Sequence, residues 1–176
     1  MTTEFPMEIE ARKRVYDIIF ENPGLHLREI QKRLNIPLGT VEYHLKYLED
    51  NELVIVKEMG GYKRYYPKGV MGSDVRNILS LLRQEVPRNI VIFLLNHPNA
   101  SFGEVAKAFD VAPSTLSFHM KKLLKDGIID RTKHGRTSTF TVVEVDKVAN
   151  VLIAHRRSFL DGLVDSFVRT WTELHP

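Results

Sequence analysis

Displaced by 75 positions, the chain lies on itself without a gap from Ile18/Phe93 to Tyr66/Thr141. Eight of the 49 pairs are identical: Pro23/Pro98, Glu29/Glu104, Lys32/Lys107, Thr40/Thr115, His44/His119, Lys46/Lys121, Leu48/Leu123 and Gly60/Gly135. The apolar positions agree better than the identities do. Ile30/Val105, Leu34/Phe109, Ile36/Val111, Val41/Leu116, Leu45/Met120, Leu53/Ile128, Val54/Ile129 and Tyr65/Phe140 pair like with like. A position apolar in both copies is one that both bury. Two copies are too few for a stacked solenoid. At about 100–200 residues per domain, 176 residues are one domain or two small ones, and the repeat reads as two copies of one small domain.

Each copy shows the same order of signals. An amphipathic helix (7–21; 87–96) buries Val15, Ile18 and Ile19, or Ile90, Phe93 and Leu94, and stops at Asn22-Pro23-Gly24 or His97-Pro98-Asn99. A short helix follows (27–34; 102–109), then a tight turn at Asn35-Ile36-Pro37 or Asp110-Val111-Ala112. A third helix (38–50; 113–126) carries Val41, Leu45 and Leu48, or Leu116, Met120 and Leu123, at i, i+4, i+7. Two β runs around Gly60-Gly61 (53–58, 62–66) or His134-Gly135-Arg136 (128–132, 137–142) make a hairpin.

Helix, helix-turn-helix and hairpin in that order is a winged helix-turn-helix. The stretches Val41-Glu-Tyr-His-Leu-Lys-Tyr-Leu-Glu-Asp-Asn-Glu-Leu-Val54 and Leu116-Ser-Phe-His-Met-Lys-Lys-Leu-Leu-Lys-Asp-Gly-Ile-Ile129 resemble the recognition-helix signature of ArsR/MarR-like winged-helix transcription regulators, in the tandem arrangement of archaeal members. Copy one departs from it with Asn51-Glu52, where copy two keeps Asp126-Gly127. The expected fold is mainly α with small β-hairpins (α+β): two tandem winged-helix domains plus a long C-terminal helix. The expected divisions are domain 1 at 1–70, a linker helix at 71–86, domain 2 at 87–144 and a C-terminal helix at 145–176.

The resemblance implies sequence-specific binding of double-stranded DNA. A helix entering the major groove presents its N-terminal residues outside the buried stripe to base edges. In copy one these include Thr40, Tyr43 and Lys46; in copy two Ser114, Thr115, Ser117, Phe118, Lys121 and Lys122. Wing residues Lys63 and Arg64, and Arg131, Lys133 and Arg136, are expected on phosphates or in the minor groove. Each reading competes with a plainer one: Ser114 and Thr115 suit any helix start, and each wing's charges suit a solvated hairpin. His44 and His119 adjoin the buried stripe and read as packed helix-face residues.

Charge separates the copies. From Pro37 to Gly61 stand Lys46 and Lys57 against Glu42, Glu49, Asp50, Glu52 and Glu58, net −3. From Ala112 to Arg136 stand Lys121, Lys122, Lys125, Arg131, Lys133 and Arg136 against Asp126 and Asp130, net +4. Neutralising phosphates supplies most non-specific DNA affinity, so copy two is expected to dominate.

Residues 73–85 read as a helix with Val75, Ile78, Leu79 and Leu82 on one face, fastening the two domains. Residues 146–174 read as one long helix in which Leu160, Val164, Phe167, Trp171 and Leu174 step by 4, 3, 4, 3. That seam either joins a homodimer, the favoured expectation, or folds back on the chain's own domains.

Composition narrows the alternatives. With 43% hydrophobic and 27% charged residues the chain is globular. No apolar run approaches the ~18–20 residues of a membrane span, and Met1–Glu10 shows no secretion signal, so a cytoplasmic protein is expected. The absence of cysteine excludes thiolate catalysis and thiolate metal sensing. No phosphate loop, zincin or nucleophile-elbow motif is present. No enzyme activity, cofactor or metal is expected. The rival reading is a winged-helix protein-interaction module of a transcription complex, with weak or no specific DNA binding.

Overall fold

The computed structural model of the chain describes residues 6–176. The reading of Met1–Glu10 falls partly on residues 1–5 and so lies in part outside the described residues. Two compact units divide after Ser80. The described residues are mainly helical, with two three-stranded antiparallel sheets.

The first unit runs α1 (Pro6–Glu21), β1 (Leu25–His26), α2 (Leu27–Leu34), α3 (Leu38–Asp50), β2 (Val54–Met59), β3 (Tyr62–Pro67) and the start of α4 (Ser73–Leu82). The second runs from the end of α4 through α5 (Glu85–Asn96), β4 (Ala100–Ser101), α6 (Phe102–Ala108), α7 (Pro113–Lys125), β5 (Ile129–His134) and β6 (Thr137–Val142). It then adds α8 (Val145–Ala154), α9 (Arg156–Phe159) and α10 (Gly162–Leu174).

The 75-residue offset governs the hydrogen bonding as well as the sequence. In unit 1 the strand order is β1-β3-β2, with Leu25 opposite Tyr65 and His26 opposite Arg64. In unit 2 it is β4-β6-β5, with Ala100 opposite Phe140 and Ser101 opposite Thr139. The third, two-residue strand of each sheet escaped the sequence reading, because two residues show no period. It forms because the Pro turn before it closes onto the hairpin: Gly24 N–H donates to Tyr65 O at 2.8 Å, and Asn99 N–H to Phe140 O at 3.1 Å. Both turn residues take positive φ, 89° and 65°.

Helices α3 and α7 end identically. Leu53 N–H donates to Leu48 O, and Ile128 N–H to Leu123 O. The residue before each is left-handed: Gly127 at φ 70° and Glu52 at φ 56°. The departure from the family pattern in copy one therefore changes the residue and keeps the turn, at a backbone cost glycine would not carry.

Val15, Ile19, Leu25, Ile30, Val41, Leu45, Leu48, Val54 and Tyr65 form the core of unit 1. Arg12 is buried with its guanidinium 3.5 Å above the Tyr47 ring. The start of α4 is fastened to the hairpin by the Tyr66 hydroxyl on Ser80 and by Lys57 on Asn77.

In unit 2, α5 is buried at Pro87, Arg88, Ile90, Val91, Ile92, Leu94 and Leu95, more than one face of a helix. One side meets α6, α7 and β6, and another meets α10. That second contact corrects the expected C-terminal helix. The chain is broken at Leu160, left-handed at φ 53°, and Asp161 caps a new helix by accepting from Leu163 N–H at 2.9 Å. Val164 and Phe167 are buried inside unit 2, while Leu160 and Leu174 stay exposed at 77% and 71%. The five seam residues do not share one open face: Val164 and Phe167 lie in the core of unit 2.

A polar lock holds this return. Arg88 donates to both Asp161 Oδ2, from Nε at 2.8 Å, and Leu82 O, from Nη1 at 3.0 Å. Arg83 donates to Ser158 O at 3.0 Å and to Ser158 Oγ at 2.8 Å, and the Phe159 ring lies within cation–π reach of both arginines. The linker reading also shifts: α4 stops at Leu82 and α5 begins at Glu85.

Candidate nucleic-acid interface

In α7 the buried stripe is Leu116, Met120 and Leu123. The opposite side leaves Ser114, Thr115, Phe118 and Lys121 exposed, with Ser117 and Lys122 half-buried. Ser114, Phe118, Lys121 and Lys122 fall at i, i+4, i+7 and i+8, one face of a helix. Pro113 starts that helix at no hydrogen-bonding cost. Phe118 is 63% exposed, an unusual place for a large apolar ring, and stands edge-on to His119 at 5.2 Å. Burial, and then Lys122, holds the His119 imidazole below its ordinary pKa.

The wing of unit 2 projects Arg131, Lys133, His134 and Arg136, all exposed. Gly135 at φ 63° makes the turn, leaving Arg136 at its tip. Among the described residues none of Lys121, Lys122, Arg131, Lys133 and Arg136 makes an ion pair with a carboxylate. Their charge faces outward and uncompensated.

Unit 1 builds the same surfaces with different chemistry. In α3, Tyr43 is exposed and Thr40 half-buried. His44 is buried beside it, the packed histidine expected. Lys46 is engaged by Asp50, one turn on, at 3.1 Å. Lys68 meets Glu52 at 3.1 Å. Lys63 remains exposed. Arg64 does not reach the surface: it is 4% exposed, donates to Gly24 O at 2.8 Å and lies 3.7 Å from Glu29. The expectation of Arg64 on DNA is corrected. Its register opposite His26 sets it beside the Pro turn, to which it ties β3. The Tyr65 hydroxyl is pushed above its ordinary pKa by burial first, then by Glu49 and Glu42. Helix α3 exposes Glu42, Glu49 and Asp50, where α7 exposes Lys121 and Lys125.

Comparisons with known proteins place both copies among helix-turn-helix domains. A family model described as an N-terminal HTH domain matches residues 9–78, and one described as winged helix-turn-helix DNA-binding matches residues 83–130. The chain carries two helix-turn-helix domains in tandem. This tandem chain is 33% identical over 136 residues, 77% of its length, to the uncharacterized HTH-type transcriptional regulator MJ1398 of Methanocaldococcus jannaschii. It is 33% identical over 82 residues, 47% of its length, to the uncharacterized HTH-type transcriptional regulator YdfF of Bacillus subtilis. The match spans 34% and 36% of the lengths of these relatives, about a third of each. Among solved structures, an ArsR family transcriptional regulator is similar at 24% identity and TM-score 0.38, over 49% of this chain and 90% of that one. The matched families are described as helix-turn-helix domains and the matched relatives as HTH-type transcriptional regulators. Among the described residues no helix is long and apolar enough to cross a membrane.

Proposed function

We propose that the chain is a transcription regulator that binds double-stranded DNA in a sequence-specific way, with unit 2 as the dominant reader. The observation that carries this is the set of outward, uncompensated cations on α7 and the second wing, beside a winged helix-turn-helix DNA-binding match. Ser114, Thr115, Ser117 and Phe118 offer hydroxyls and a ring to base edges and thymine methyls. Lys121, Lys122, Arg131, Lys133 and Arg136 neutralise phosphates. Unit 1 adds Thr40, Tyr43 and Lys63 at most, since Lys46 is engaged and Arg64 is internal.

The test is affinity for duplex DNA at about 50 and 200 mM salt, with single-stranded DNA as competitor. Six or more phosphate contacts predict a loss of about 10³-fold or more between the two. Lys133→Ala with Arg136→Ala should flatten that slope; an unchanged slope removes the second wing from the interface. The exposed carboxylates of α3, Glu42, Glu49 and Asp50, favour a second reading, in which unit 1 docks on the transcription machinery while unit 2 holds DNA. Absence of duplex binding at low salt would favour this interaction-module reading for the whole chain.

Homodimerisation is kept for the part of the tail that stays open, Leu160 and Leu174 with the half-buried Trp171. Leu174→Glu should convert a dimer to a monomer in sedimentation; an unchanged mass would discard this contact.

A further inference from the structure

Unit 2 contains an open cleft of about 460 Å³ between the wing and the start of α6, lined by Phe102, Arg131, Arg136, Thr137, Ser138 and Phe140, with Ser101 and Gly103. No residue of the recognition helix lines it. The repeat explains why it is open. In unit 1 the corresponding space is filled: the His26 ring stacks on Tyr62 at 4.7 Å, and Arg64 runs beneath to Gly24 O. Their counterparts at the 75-residue offset are Ser101, Thr137 and Thr139, all smaller. The offset also exchanges Val56 for Arg131 and Gly61 for Arg136. The second copy has thus lost the plug and gained two guanidinium groups at the same place.

The lining has a definite chemistry. Arg131 and Arg136 make no ion pair among the described residues. Among the described residues no carboxylate lines the cleft; Asp130 accepts from Arg131 N–H at 2.8 Å, and Glu104 from Ser101 N–H at 2.7 Å. Thr139 Oγ1, at the register partner of Ser101, is buried without a hydrogen-bond partner. Guanidinium forks with hydroxyls suit a phosphate, and an aromatic side wall suits a flat ring.

We propose that this cleft is a binding site for a small phosphate-bearing ligand with a flat ring, of the mononucleotide class. Its phosphate sits on Arg131 and Arg136, and its ring lies against Phe102. Because the proposed DNA contact uses the same two arginines, occupancy competes with duplex binding and makes the wing responsive to an effector. The competition rests on the DNA reading; the site itself does not.

The experiment is calorimetric titration of the full chain with AMP, with inorganic phosphate as comparator, beside duplex binding with and without AMP. AMP should bind once per chain and more tightly than phosphate. Thr137→Tyr, which restores the ring of copy one and keeps both arginines, should weaken AMP by about tenfold or more. Arg131→Ala should do the same, with thermal melts verifying that both variants fold. Phosphate binding as tightly as AMP overturns the ring assignment, and AMP binding unaffected by Thr137→Tyr overturns the site. Duplex binding without AMP binding also overturns the proposal and leaves the DNA reading standing. AMP binding without duplex binding sustains the site and removes the DNA reading.

Discussion

Arg64 and Arg136 both stand in wing hairpins, one in each copy and at different positions, and their surroundings give them opposite tasks. Arg64 is drawn inward, to Gly24 O and Glu29, and holds a hairpin on its turn. Arg136 stands at the tip of an open wing, facing a cleft and solvent. The same division runs through both units. In unit 1 Lys46 and Lys68 are neutralised by neighbouring carboxylates, while in unit 2 the cations of α7 and the wing are not. Duplication kept the backbone and redistributed the charge. A shared fold thus says little about which copy meets a polyanion; the pairing of each cation decides it.

The comparison breaks first on stability. Arg64→Ala removes a buried guanidinium, its hydrogen bond to Gly24 O and its contact with the part-exposed Glu29, and should cost about 2 kcal/mol. Chemical denaturation should show that loss, with duplex affinity of the folded protein unchanged. A large affinity change at unchanged stability would mean that Arg64 reaches DNA after all.

Next comes binding. Lys121→Ala with Lys122→Ala should reduce the salt slope by about 2, about 1 for each lost phosphate contact, equally on all sequences. Lys46→Ala, whose ammonium already serves Asp50, should leave the slope within error. Fluorescence anisotropy over a salt series separates the two; equal effects would erase the proposed dominance of unit 2.

The helix ends give a smaller contrast. Gly127→Ala places a side chain at φ 70° with no atom within 4 Å to obstruct it, so only backbone strain counts. It should cost about 1 kcal/mol, and Glu52→Gly should return about 0.5–1 kcal/mol to unit 1. The exposed Lys68 pair lost with Glu52 offsets little of that. Thermal melts resolving both changes in the same direction would contradict the shared turn.

The smallest effect is in pH. His26, His119 and His155 are all held below the ordinary imidazole value of 6.5, in each case by burial first. The folded protein then binds fewer protons than the unfolded chain. Stability is full above pH 6.5 and declines as pH falls through it toward the lower folded values. Melting temperature should drop between pH 7.5 and 5.5, and His119→Gln should make the drop shallower.

The repeat, the helix limits and the hairpins were legible because each writes a period or a punctuation mark into the sequence. Leu27–Leu34 and Leu38–Asp50 have the ends that the apolar stripe and Pro turns announce. The two-residue strands were not legible, since two residues carry no period. The inward turn of Arg64 was hidden for another reason. Arginine in a wing suggests phosphate, and only the register opposite His26 sets it beside the Pro turn. The tail misled through a true pattern. Its heptad spacing is real, yet Asp161 is also a helix cap and a partner for Arg88 seventy-three residues away, which no local window contains.

The Arg88–Asp161 lock has a consequence for how this architecture can be inherited. A piece ending at Val142, where the wing closes, keeps every helix-turn-helix element and strands a guanidinium that is 8% exposed. It also uncovers Ile92 on α5, which lies beside Leu163 and Phe167. The reading head of unit 2 is therefore no free cassette: recombination that moves it without its last thirty or so residues delivers a domain with an open core, and the tail and the head must travel together through evolution.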